Sequence, residues 1–502
     1  MTKSIAVVGS GPTGTAAAQT LLNRGYSVTL FDVGLTKSNA NDFGTKTSLP
    51  KTLMPKKKLF NSTFMYQRAD GINIAVDNKV SFDTSHAKGG LSTIWGATVG
   101  AIYPQDILNW PISYNEISEN LNLSFNLTGI MGAMDQIDEL YPINLKVNNF
   151  DFEVDQTIFL LNRAKKHKIY LNKNNIYVGK SKLAVQANPA AVNVCVKCGK
   201  CMEGCQYDSI FSAANILEDL LSDPKFTYQP LALVESVFES GDSVSLTFKN
   251  LARDGEINTK IFSSAVLAAG CLDTLRIIDN STEKKPDHYI IKDSQKFYFP
   301  VFVWGGRQRQ SSKSISLAHL YIQSFDSNLN LIQTQLYPGM QFLNLMLIEK
   351  LGPLFGSIFG KILNPVLSRT YIGMTYMHSN ISGTMTVKFN QESINVSGKP
   401  NEKSTVEFRS LLARLFKIGH KTGFYVFPRL YLKAKIGHSQ HFGGAIEMME
   451  VSLPGGADTL GRPFGFDRTY VVDATVLPTI PATPTTTIAL SNAIRIAIKI
   501  MF

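Results

Sequence analysis

The stretch IAVVGSGPTGTAAAQTLLNRGYSVTLFD sets four consecutive apolar residues, Ile5–Val8, before a glycine turn, an alanine- and leucine-rich segment and a second short apolar run. A continuous apolar run bounded by turn residues predicts a buried strand, so the stretch reads as strand, turn, helix, strand. The pattern returns at AVLAAGCLDTLRII (Ala265–Ile278), which predicts a buried strand, a small-residue turn and a helix. The last segment, from GRPFGFDRTYVVDA through PTIPATPTTT to the C-terminus, predicts a strand, a proline-rich turn and a final helix. Between Phe297 and Lys435 the pattern changes to alternation, as in KSISLAHLYIQSF and RTYIGMTYMHSNISGTMTVKF, the signature of strands with one buried face. The apolar segment Phe342–Leu367 is interrupted by Asn344, Glu349, Lys350 and Lys361, so it lacks the run needed to span a bilayer. It is read as a buried helical hairpin, with a lid or membrane-surface segment as the alternative.

Composition narrows the class. The chain has 502 residues, 44% hydrophobic and 18% charged, enough for a sizeable core in two or more domains, or in one large domain with a substantial insertion, and unlike a disordered chain. A net charge of +11 favours anionic partners such as phosphorylated cofactors. Apart from PKKKL at Pro55–Leu59 the basic residues are scattered, which argues against nucleic acid. The N-terminal sequence enters an apolar strand at Ser4, with no stretch patterned as a signal peptide, so a cytoplasmic, reducing setting is expected, where structural disulfides are rare.

Gly9, Gly11 and Gly14 stand at G-x-G-x-x-G spacing with Asp32 closing the second strand. Gly9 permits the tight turn, Gly11 lets a pyrophosphate approach the backbone, and Gly14 lets the helix pack on the sheet. Pro12 and Thr13 begin the helix, whose N–H groups and dipole favour phosphate, and Asp32 can accept hydrogen bonds from ribose. These residues suit NAD(P) or FAD equally.

Three further stretches, KGGLSTIWGATVGAI with NWPISYNEI (88–117), the Ala265–Ile278 segment and the C-terminal segment, together with HFGGAIEM (His441–Met448), resemble the glucose–methanol–choline (GMC) oxidoreductases. The resemblance implies an α/β protein: a Rossmann-like FAD-binding domain (1–296, carrying a cysteine-rich loop at 190–212, and 436–502) with a smaller α+β substrate domain (297–435) on a mostly antiparallel sheet. It implies FAD-dependent oxidation of an alcohol or sugar-like substrate to a carbonyl, by proton abstraction and hydride transfer to flavin N5. It further implies that Gly89, Gly90, Ser92, Trp95, Gly96 and Ala97 lie by the flavin ring. Ala269 and Gly270 would form a second close approach, Asp473 and Ala474 would meet the ribityl–phosphate part, and Thr485 and Thr486 would open the last helix beside the ring.

In that family the base is the histidine of H-x-x-G-x-x-x-M, matched here by His441, Gly444 and Met448. Imidazole, with an unperturbed pKa of about 6.5, is largely neutral and able to accept a proton at cellular pH. His438 is the rival. The family's second active-site position, usually Asn or His, is occupied by Thr483, and Thr483, His438 or Gln440 could partner His441.

Cys195, Cys198, Cys201 and Cys205 follow C-x2-C-x2-C-x3-C, the spacing of bacterial ferredoxins, although Gln206 replaces the usual proline. In two-cluster ferredoxins the fourth cysteine serves the other cluster, so a single 4Fe–4S cluster here would need Cys205 to fold back or Cys271 to arrive. Packing thiols and zinc are the alternatives. A cluster would let electrons leave singly to a protein or quinone acceptor. Other readings are a different flavoenzyme, such as a desaturase or an NAD(P)H-linked reductase using the cluster, or a flavin-binding protein with little turnover. Peripheral membrane contact stays open.

Overall fold

The computed structural model describes residues 3–40, 62–142, 147–149, 154–305, 314–339, 343, 351–390 and 393–501. Pro55–Leu59 and the first part of the apolar segment, residues 342 and 344–350, lie outside them.

The predicted buried runs form one parallel sheet. Its five strands lie in the order Thr469–Val471, Ser264–Leu267, Ser4–Val8, Ser27–Phe31, Phe226–Gln229. Ile5–Val7 and Ala265–Leu267 are fully buried, as expected of parallel strands covered on both faces. Helix Pro12–Asn23, which follows the first strand, packs against the last helix, Thr485–Lys499, so both chain ends meet beside this sheet.

The alternating segment builds a second, antiparallel sheet. Its order is Phe424–Val426, Lys296–Val303, Thr370–Tyr376, Leu331–Pro338, Leu320–Phe325, Tyr177–Lys180. The last of these strands comes from outside 297–435; four residues are too few to give a periodic signal. Phe297, Phe299 and Val301 point to one face, where Phe297 stacks on Phe408 of helix Lys403–Thr422 with ring centroids 4.2 Å apart. Their neighbours Lys296 and Tyr298 point to the other face, with Met374 and Tyr376 from the next strand, and help to line the cavity described below. A third sheet pairs Phe442–Gly443 with Tyr289–Asp293 and so anchors the segment carrying His441.

The buried-hairpin reading of the apolar segment fails for its described part. Helix Pro353–Leu367 turns Gly356 and Gly360 inward and leaves Leu354, Phe355 and Ile362 69%, 61% and 66% exposed. Both glycines are buried, and the large side chains face out. Among the described residues no helix is long and apolar enough to cross a membrane.

Candidate active site

The first strand ends in a turn packed so tightly that Gly9 and Gly14 have no room for a Cβ. Gly9 has φ 98°, and a Cβ there would lie 2.4 Å from the Ala268 carbonyl oxygen. A Cβ on Gly14 would lie 2.0 Å from the Gly9 carbonyl oxygen. Gly11 differs: nothing lies within 4 Å of its would-be Cβ, because that space is cavity. Helix Pro12–Asn23 has no side-chain cap and no acid in its first turn, so its N–H groups and positive dipole are presented to that space.

This cavity, about 220 Å³, is also walled by Pro12, Thr13, Asp32, Gly90, Ala269 and Gly270. Asp32 accepts from the Ser10 hydroxyl and, at 3.3 Å, from the Tyr228 hydroxyl; burial, against these bonds, pushes its carboxyl up to about 6. The Ser10 hydroxyl in turn accepts from the Gly89 N–H at 2.9 Å, while Ser92 donates to the Gly89 carbonyl at 2.6 Å and accepts from the Ala213 N–H at 2.9 Å. Gly89 itself has φ 84° and would place a Cβ 2.8 Å from the Ala214 nitrogen. The glycine-rich loop is thus tied to both the first turn and the helix starting at Ala213.

A second cavity, about 390 Å³, continues from the first. The two share Pro12, Thr13, Leu91, Gly270, Phe442 and Asp473, so together they form one trench running from Asp32 to His441. Asp473 sits midway; its oxygens accept from Gly270 N–H (3.1 Å), Thr274 Oγ1 (2.6 Å) and Thr475 N–H (2.9 Å), and burial raises its pKa. Trp95, Gly96, Ala474, Thr485 and Thr486 line the far half. The last helix begins there, uncapped by any side chain, and Thr485 Oγ1 is buried with no partner.

His441 lies at the far end. Its backbone is fixed by the Ser439 hydroxyl (2.9 Å), itself held by Asp293 at 2.6 Å, and its ring stacks on Tyr376 with centroids 4.5 Å apart. Nδ1 is buried without a hydrogen-bond partner. Burial, then the nearby Lys296 ammonium, lowers its pKa to about 3, so the imidazole is neutral. His438 lines the same cavity but its Nε2 is 3.1 Å from the Tyr298 hydroxyl. Gln440 donates to Asp83 at 2.9 Å.

Three expected residues are elsewhere, the first being Gly89, which is tied to Ser10 and lines neither cavity. Thr483 is buried but does not line the trench, whose wall at this turn is made by Pro484, Thr485 and Thr486. Ala97, with φ 52°, is fully buried behind the wall, its carbonyl accepting from the Ala184 N–H at 2.7 Å. The sequence reading missed Lys296, Tyr298, Tyr337 and Tyr376, which the antiparallel sheet brings over the trench. Their only signal was strand alternation, which predicts a face without saying what it meets.

It also missed the Arg68 cluster. The buried Arg68 guanidinium donates to Asp273 (2.6 and 3.0 Å), to Thr84 (2.9 Å) and to Asp70, while His86 Nε2 lies 3.3 Å from Asp273. Burial would raise the Asp273 carboxyl, but Arg68 and His86 outweigh it and hold it well below the usual range. Asp70, His86 and Asp273 bring ligand atoms within 4.8 Å of one another, yet Arg68 already supplies their positive charge. Breaking a buried pair by removing one partner costs about 3–5 kcal/mol. Asp273→Ala is expected near the lower end, because Asp70 still faces Arg68; urea unfolding checks this, and a change below about 1 kcal/mol contradicts it.

The cysteine stretch folds so that Cys195, Cys198, Cys201 and Cys205 all line one small cavity, while Cys271 heads helix Cys271–Ser281 beside the trench.

No family model matches the chain, and no curated protein matches it in sequence. Among solved structures it is similar to pyridoxine 4-oxidase from Mesorbium loti, with a TM-score of 0.60 over 99% of both chains and 13% identity. At that identity the likeness is one of fold, and the chain shares that oxidase's mixed α/β fold from end to end.

Proposed function

We propose that this protein is an FAD-dependent oxidoreductase of the GMC type that oxidises the CH–OH group of an alcohol or sugar-like substrate to a carbonyl. The observation that carries the reading is the continuous trench from Asp32 to His441, with an uncapped helix N-terminus at each half and unpartnered polar atoms, His441 Nδ1 and Thr485 Oγ1, at the far end. Gly9, Gly11 and the start of the first helix would hold the pyrophosphate, Asp32 the adenosine ribose, and Gly90, Trp95, Gly96 and Thr485 the ring. FAD, when bound, supplies a two-electron hydride acceptor.

The chain's own part is to bind and deprotonate. His441, neutral and lining the far end of the trench, accepts the hydroxyl proton. Lys296 and the Tyr298 hydroxyl supply donors for the oxygen from which that proton leaves. The aromatic wall of Trp95, Tyr337 and Tyr376 suits a planar or apolar carbinol, and the structural neighbour is named for oxidation of pyridoxine. A single glycine cradle argues against a second nucleotide site for NAD(P)H.

Anaerobic titration of the flavin absorbance tests the proposal. Bleaching by alcohols or sugars is expected; bleaching by NADPH alone, or by neither, contradicts it. The rate of bleaching also has an expected pH dependence. Protonation of His441 removes the acceptor, so the rate falls as pH drops through about 3 and shows no inflection at the ordinary histidine value. An acid limb at that ordinary value assigns the base elsewhere.

A further inference from the structure

The cysteine cavity is built from a loop shaped to turn thiols inward. Lys197, Gly199 and Gly204 take positive φ values of 58°, 75° and 115°, reversing the chain between successive cysteines. Val185, Ile210, Ile315 and Leu317 close the space, and Cys198 pairs as an isolated bridge with Ser314, the residue before Ile315. Among the described residues no His, Asp or Glu side chain lines it. The Ser209 N–H donates to Cys205 Sγ at 3.3 Å, a bond that stabilises sulfur carrying negative charge.

The sequence spacing favours iron over zinc. Tetrahedral zinc sites more often use two C-x2-C knuckles separated by a longer span, whereas C-x2-C-x2-C-x3-C is the run that wraps an iron–sulfur cube. Cys205, the ligand that the ferredoxin spacing left in doubt, is on the same cavity wall as the other three, and Cys271 is not.

The loop also touches the active site. Met202, between the third and fourth cysteines, lines the trench with His441 and Tyr376, and Trp95 on that wall donates its indole N–H to the Phe211 carbonyl at 2.9 Å. Cys198 is exposed.

We propose that Cys195, Cys198, Cys201 and Cys205 ligate one 4Fe–4S cluster that passes electrons from the trench to a one-electron carrier at the surface by Cys198. The site stands on its own geometry; the relay rests on the oxidoreductase reading. The balance is simple. One CH–OH group oxidised to a carbonyl loses two electrons and two protons; the electrons pass from flavin through the cluster singly, reducing two equivalents of the carrier, and the protons go to solvent.

Anaerobically purified protein is expected to hold about four iron and four sulfide per chain and to give a paramagnetic signal on dithionite reduction. Cys205→Ala removes that signal and Cys271→Ala leaves the iron content unchanged. If Cys205→Ala does not fold, the metal content of the wild type decides. Zinc without sulfide, or folded protein whose four thiols all react with a thiol reagent and hold no metal, overturns the site. Iron without flavin keeps the site and removes the relay; flavin without iron overturns the site and leaves the oxidoreductase reading intact. Freeze-quenching after substrate addition tests the relay: the cluster signal is expected to follow flavin bleaching, and a bleached flavin beside a permanently oxidised cluster contradicts it.

Discussion

Replacing His441 by alanine is expected to slow substrate-driven flavin reduction by about 10²–10⁴-fold while leaving FAD bound, the usual contribution of a positioned general base. The site shows why the two effects separate. His441 stands at the far end of the trench, held by Ser439 and stacked on Tyr376, whereas the pyrophosphate cradle is at Gly9–Gly14. The rival is His438, whose Nε2 is engaged with the Tyr298 hydroxyl. His438→Ala is therefore expected to weaken substrate binding more than the bond-breaking step, raising KM with less change in kcat. Stopped-flow reduction of both variants checks the assignment, and a reversed order of effects would give the base role to His438.

Two alanine substitutions five and two residues beyond Gly9 should fail in different ways. At Gly14 the new Cβ would meet the Gly9 carbonyl oxygen at 2.0 Å, a rigid backbone atom that cannot swing away, so the first helix must move off the sheet. Overpacking of this kind costs about 1–3 kcal/mol, and both stability and FAD uptake are expected to fall. At Gly11 the backbone is extended (φ −64°, ψ 175°) and the Cβ meets nothing. Gly11→Ala should therefore leave the flavin-free protein within about 0.5 kcal/mol of the wild type, yet weaken FAD at least about tenfold by filling space the phosphates need. Thermal unfolding of the apo forms with FAD titration separates the two. Normal FAD affinity in Gly11→Ala would mean that the phosphates lie elsewhere.

Local features were the legible ones. A glycine whose φ must be positive, a strand buried on both faces and cysteines three residues apart each leave their constraint within a few neighbouring positions, so Gly9, Ile5–Val8 and the 195–205 loop could be read directly. Contacts across long sequence intervals left no such trace. Arg68 meets Asp273 across 205 residues, and Tyr376 meets His441 only because an antiparallel sheet turns one of its faces to the trench. Thr483 stands one residue before a proline turn and is buried off the trench, while Thr485 and Thr486 beyond that turn line its wall. The apolar helix at 353–367 reads as core from composition, but Gly356 and Gly360 are buried while Leu354, Phe355 and Ile362 are exposed.

Equilibrium uptake of FAD by flavin-stripped protein tests the central claim most directly. The trench predicts a yellow complex with about one FAD per chain, competed by adenosine diphosphate, which shares the half of the site at Asp32. Folded protein that stays colourless in excess FAD would contradict it.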